Sequence, residues 1–122
     1  MRRRSRSNAQ MSAMGLSITR LLVSEALFGL AAAAVRHRSV KVGRFVSISE
    51  VLEAASLAAP KLNLGKAEID EWLAIDQHGP IPVTLVTRER WRADYERARQ
   101  HLSDAAGHVL TARQMLVILT HA

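Results

Sequence analysis

Hydrophobic residues crowd the early part of the chain almost without periodicity. Leu16, Leu21, Leu22, Val23, Leu27, Phe28 and Leu30 project in every direction of a helical wheel, leaving Ser17, Arg20, Ser24 and Glu25 as a narrow polar strip. Read as a helix over residues 17–36, such a segment is central or sits in an oligomer interface. Val40 and Val42 then alternate with Lys41 across residues 39–46, a period-2 pattern that predicts a strand. A second β-branched run, Ile81-Pro82-Val83-Thr84-Leu85-Val86-Thr87, predicts another, and pairing the two makes a small ribbon.

Helix starts are the sharpest local signals. Ser47-Ile48-Ser49-Glu50 and Thr111-Ala112-Arg113-Gln114 are capping boxes, in which the two side chains reciprocally satisfy backbone N–H groups that a helix end leaves unpaired. Val46 with Val51, and Leu110 with Met115, bracket them as hydrophobic staples. Val86 and Trp91 bracket Thr87 in the same way, so helices begin near residues 48, 88 and 112. The first of these runs from 47 to 59 and stops at Pro60. Asn63 caps another over 64–77, ended by His78-Gly79-Pro80, and the turn at Pro60-Lys61-Leu62-Asn63 makes the pair a helix-turn-helix. The predicted fold is mainly α with a small β ribbon, in the order helix-strand-helix-helix-strand followed by two C-terminal helices.

That order is the order of a winged helix. Within residues 24–86, three stretches weakly resemble the N-terminal winged-helix lobe of the RNA 2′-phosphotransferases. They are Leu27-Phe28-Gly29-Leu30 with Val35-Arg36-His37, Gly43-Arg44-Phe45-Val46 leading into Glu50-Val51-Leu52, and Glu68-Ile69 with Trp72-Leu73-Ala74-Ile75-Asp76. The resemblance implies a winged-helix-like fold, with Arg36 standing where that family has an Arg of its catalytic set. His78-Gly79-Pro80-Ile81-Pro82 replaces the family's wing, and residues 87–122 read as helices rather than as its cofactor-binding lobe, so no catalysis is implied.

Length bounds this picture. A chain of 122 residues suits one domain, here residues 15–122, preceded by a disordered basic arm over 1–14. Nineteen of the hydrophobic residues are Ala, so the core is thin. With no Cys, disulfides, thiolate metal sites and Cys nucleophiles are excluded. The apolar run over 21–35 resembles a signal-peptide core and the acid-free first 24 residues resemble a transit peptide, but Glu25 interrupts the former. The run also falls short of the roughly 20 residues a membrane span needs. A cytoplasmic location and no membrane partner are expected.

The formal charge of +6 is strongly segregated. Residues 1–46 hold nine Arg or Lys against the single acid Glu25. Residues 47–84 hold Lys61 and Lys66 against six acids, and residues 85–122 hold six Arg against four acids. The basic arm, with Arg2, Arg3, Arg4 and Arg6, and the basic neck, with Arg36, Arg38, Lys41 and Arg44, are candidate contacts to the phosphates of DNA or RNA. Arg88, Arg92 and Arg99 add a third set, lying within about 40° of one another on a helix beside Tyr95. That same helix also supports Arg–acid pairs three or four residues apart, with Trp91, Tyr95, Ala98 and Leu102 turned to the core.

The helix over 64–77 sets Lys66 against Glu68, Asp70, Glu71 and Asp76, which would repel phosphate in the usual recognition-helix position. His101, Asp104 and His108 share a face, but Gly107 breaks the helix and imidazoles seven residues apart lie about 10 Å from each other, so no metal or cofactor is expected. No residue set supplies a nucleophile, a base and an oxyanion donor together. The expected function is a non-enzymatic nucleic-acid-binding accessory or regulatory protein. The alternative is a protein-interaction adaptor or inhibitor, docking through its acidic helix 64–77. The apolar helices 17–36 and 112–121 are candidate homodimer faces.

Overall fold

A computed structural model describes residues 15–121. Along the chain run β1 (Leu16–Val23), α1 (Glu25–Val42), α2 (Ile48–Ala58), a 3-10 turn (Ala59–Lys61), α3 (Lys66–Leu73), β2 (Ile81–Arg88), α4 (Glu89–Ala106) and α5 (Ala112–His121). The protein is mainly α with one two-stranded antiparallel ribbon, β1–β2. The arginines of the arm, Arg2, Arg3, Arg4 and Arg6, lie outside the described residues.

The first elements differ from expectation. The segment expected as one helix over 17–36 divides at Ser24, into a strand before it and a helix after it. Ile18, Thr19 and Val23 favour extended backbone, and two of them face β-branched partners in β2, Ile18 opposite Val86 and Val23 opposite Ile81, in a register that runs from Leu16 opposite Arg88. The strand expected over 39–46 is instead the last turn of α1 plus a loop. A strand is stable only beside a partner, and β1 already pairs with β2, so residues 39–42 keep their intrahelical bonds. The observed order is therefore strand, three helices, strand, two helices.

Ser24 makes the division possible. Its side chain accepts the N–H of Leu27 at 3.0 Å, which caps α1, and donates to the carbonyl of Asp76. Its own N–H donates to the carbonyl of Gln77 at 3.1 Å. The β1–α1 corner is thereby bound to the loop between α3 and β2, and Ser24 is only 4% exposed. Gly79 permits the approach, since a Cβ there would sit 2.6 Å from the Cα of Ser24.

The three expected helix starts hold to within a residue, at Ile48, Glu89 and Ala112, and the capping boxes at Ser47 and Thr111 both form. Arg88 rather than Thr87 caps α4, and Thr87 stays in β2 opposite Ser17. The acidic helix is shorter than expected at both ends, Lys66–Leu73, with Gly65 rather than Asn63 as its N-cap and Ala74 as its C-cap.

The core is organised around α5. Residues 115 to 119 (Met115, Leu116, Val117, Ile118, Leu119) are all buried, and α1, α2 and α3 pack against this helix. The surface offered by helix 112–121 for self-association is therefore covered within the chain itself, since five consecutive buried residues occupy every direction around it. Leu27 and Ala31 from α1, Leu52 from α2, Ile69 from α3, Val83 and Leu85 from β2, and Trp91, Ala98 and Leu102 from α4 complete the core.

Two buried serines have opposite accounts. Ser24 is saturated with hydrogen bonds, whereas the hydroxyl of Ser56 in α2 is buried with no partner among the described residues. Ser24→Ala removes a cap and leaves the Asp76 carbonyl unpaired, and is expected to cost about 2 kcal/mol. Ser56→Ala removes an unsatisfied group and gains helix propensity, and is expected to stabilise by about 1 kcal/mol. Urea denaturation of the two variants beside the parent reads both signs.

Candidate nucleic-acid interface

The basic neck is the C-terminal half of α1 and the loop that joins it to α2. Gly43 ends the helix at φ 76°, a left-handed conformation that suits glycine. The carbonyl of Ser39 receives the N–H groups of Gly43 and Arg44 at 2.9 and 3.2 Å, and the Ser39 hydroxyl receives that of Val46 at 3.0 Å. These bonds fold the loop tightly back on the helix end. Val46 is drawn inward and buried, and its neighbour Phe45 is left 97% exposed. Val40, at 74%, and Val42, at 40%, stand out from the same region.

The cations around this loop do not form one patch. His37, Arg38 and Lys41 line one wall of a groove of about 470 Å³, whose apolar lining includes Leu30, Ala33 and Ala34 of α1, Ala54 and Ala55 of α2, and Leu119 of α5. Arg36 is exposed and sits about 160° around α1 from Arg38 at 100° per residue, on the other flank. Arg44 donates to the Phe45 carbonyl at 3.3 Å and to Glu50 Oε2 at 2.9 Å. The Arg44 guanidinium, followed by the Ser47 backbone N–H, holds the Glu50 carboxyl below its usual pKa. Arg44 is thus tied to Glu50, yet its side chain remains 63% exposed.

The third set of cations separates. Arg88 is exposed at the head of α4 and shares a recess with Ser47 and Glu50, so it stands close to the neck. Arg92 donates to Ser17 Oγ at 3.0 Å and pairs with Glu89, tying α4 to β1. Arg99 donates to the Leu110 carbonyl at 2.9 Å and thereby fastens α4 to the start of α5. Arg92 and Arg99 are structural ties as much as free charges. Tyr95 is half-buried, edge-on to Trp91 at 6.2 Å, with burial pushing its phenol pKa up, and belongs to the rim of the core.

The residue that sequence reasoning passed over is Phe45. The strand expected over 39–46 contains it, but Gly43 placed shortly before the capping box at Ser47 is a helix-stop signal that would have put Phe45 in a loop. The acidic α3 presents Glu68, Asp70 and Glu71 to solvent, with Asp70 paired to Lys66 at 2.7 Å. Among the described residues no group of three His, Asp or Glu is placed to hold a metal ion. His101 instead lies 3.0 Å from the Leu62 carbonyl. No helix among them is long and apolar enough to cross a membrane.

No protein-family model, curated protein or solved structure matches this chain.

The ion pair at the neck has a direct readout. In a carbon-detected NMR titration the Glu50 carboxyl is expected to titrate below the ordinary glutamate value. Arg44→Ala is expected to raise it toward that ordinary value, with Ser47 retaining part of the depression.

Proposed function

We propose that this is a non-enzymatic, cytoplasmic nucleic-acid-binding protein, an accessory or regulatory factor that contacts the phosphates of single-stranded DNA or RNA through its neck. The supporting observation is Phe45, an aromatic ring 97% exposed at the tip of a tightly bonded loop, next to Arg44 and one helical turn beyond Lys41. Burying such a ring against a base is favourable and tolerates any sequence, while nearby cations release counterions from the strand. Arg36, Arg38, Lys41, Arg44 and Arg88 supply the phosphate contacts in this reading, and the arm arginines Arg2, Arg3, Arg4 and Arg6 supply a further set. The acidic α3 keeps the strand off its own side of the molecule.

The alternative reading as an adaptor loses the apolar face of α5, which the chain itself covers. It retains the acidic face of α3 as a site for a basic protein.

Fluorescence anisotropy with mixed-sequence single strands across a salt series tests the proposal. Binding is expected to weaken steeply with salt, and deletion of residues 1–10 to flatten the slope. Phe45→Ala is expected to cost about 1–3 kcal/mol at constant slope. The triple change Arg38→Ala, Lys41→Ala, Arg44→Ala is expected to lower the slope by about one for each phosphate that the variant no longer neutralises. Absence of binding at low salt overturns the reading, and a Phe45→Ala variant that binds as the parent does removes Phe45 from it.

A further inference from the structure

The two edges of the β1–β2 ribbon are treated differently. In an antiparallel pair, alternate residues aim both their N–H and C=O at the partner strand and the others aim both away. Glu89 N–H reaches the Gly15 carbonyl at 2.6 Å, which places Gly15 in the inward set. By alternation, Leu16, Ile18, Arg20 and Leu22 point their backbone groups outward. The 3.2 Å bond from Arg113 Nε to the Leu22 carbonyl, made from outside the ribbon, agrees. Pro82, opposite Leu22, and Val86, opposite Ile18, then face the outer edge of β2.

That β2 edge is blunted. Pro82 has no N–H to offer, and the N–H of Val86 is taken by Ser49 Oγ at 2.9 Å. The β1 edge is not. Among the described residues nothing accepts the N–H groups of Ile18 and Arg20, and the side chains of Ile18 and Leu22 are 37% and 56% exposed beside them. A β-branched strand without proline, open along its edge, is a template for another strand.

We propose that the β1 edge pairs antiparallel with β1 of a second copy, joining two ribbons into a four-stranded sheet with β1 and its counterpart at the centre. A second copy fits because the pairing is self-complementary about a two-fold axis at Thr19. Ile18 then lies opposite Arg20 of the partner subunit and Leu16 opposite Leu22 of the partner subunit, so no arginine directly faces its own copy. The antiparallel direction also sets Leu16 of the two strands at opposite ends of the shared sheet. Arg113 already holds the Leu22 carbonyl, so the shared ladder is centred on Ile18, Thr19 and Arg20.

Sedimentation equilibrium of the full chain across the micromolar range, followed by two variants, tests this. The parent is expected to reach a dimer. Ile18→Pro removes an outward N–H while leaving every β1–β2 bond intact, and is expected to weaken the dimer at least tenfold with an unchanged circular dichroism spectrum. At the two-fold axis, Thr19 faces its own copy in a non-hydrogen-bonded pair, with Cα atoms about 4.5 Å apart, inside the range a disulfide spans. In a chain without cysteine, Thr19→Cys is therefore expected to give a covalent dimer on mild oxidation, and Arg20→Cys far less of one. A parent that stays monomeric overturns the proposal, whether residues 1–14 or nothing covers the edge. So does a dimer that Ile18→Pro leaves intact while Thr19→Cys fails to cross-link. Should Ile18→Pro fail to fold, the contrast between the two cysteine variants decides alone.

Discussion

The corner at Ser24 is the constraint on which the rest of the structure depends. One residue ends a strand, starts a helix and binds both to a loop more than 50 positions away, through its N–H, its hydroxyl hydrogen and its hydroxyl oxygen. The corner works only because Gly79 presents no side chain to the Ser24 backbone. With β1 and β2 brought into register from this point, Val83 and Leu85 turn inward, and Trp91 at the start of α4 is delivered to the core.

Around that corner the packing is arranged as an alanine-rich chain requires. With few large residues to share, the fold concentrates them on one central helix, α5, and lets small side chains on α1 and α2 approach it closely. Short polar ties secure the connections that the thin core leaves weak. Ser103 accepts the Leu110 N–H, Arg99 donates to the Leu110 carbonyl, and Trp72 stacks on His121 with ring centroids 4.8 Å apart. Burial holds the His121 pKa below its ordinary value, so the neutral ring is the form that stacks. The unfolded chain takes up that proton more readily, and this contact weakens as pH falls through the ordinary histidine range.

Charge is distributed with the same restraint. Several arginines that look free in the sequence are occupied: Arg44 with Glu50, Arg90 with Glu53, Arg92 with Glu89 and Ser17, and Arg99 with Leu110 and Glu96. The exposed pairs contribute little to stability individually, but they subtract from the charge available to a polyanion. Arg36, Arg38, Lys41 and Arg88 make no ion pair among the described residues, and three of these four lie on α1 with Phe45 just beyond its end.

Local chemistry by itself determined helix starts near 48, 88 and 112, a strand over 81–87, the mainly helical character and the charge segregation. Each rests on contacts within a few residues, a capping box or a β-branched run. Only the tertiary structure decided which segment would pair with β2. Residues 16–23 lie in a run that reads as one helix over 17–36, and residues 39–46 in one that reads as a strand, yet it is 16–23 that takes the place beside β2. The Ser24–Gly79 contact favours the first, and the second then completes α1, because intrahelical bonds are the remaining way to satisfy its backbone. The same decision turned Phe45 outward, closed α5 inside the chain and, among the described residues, left the β1 edge open.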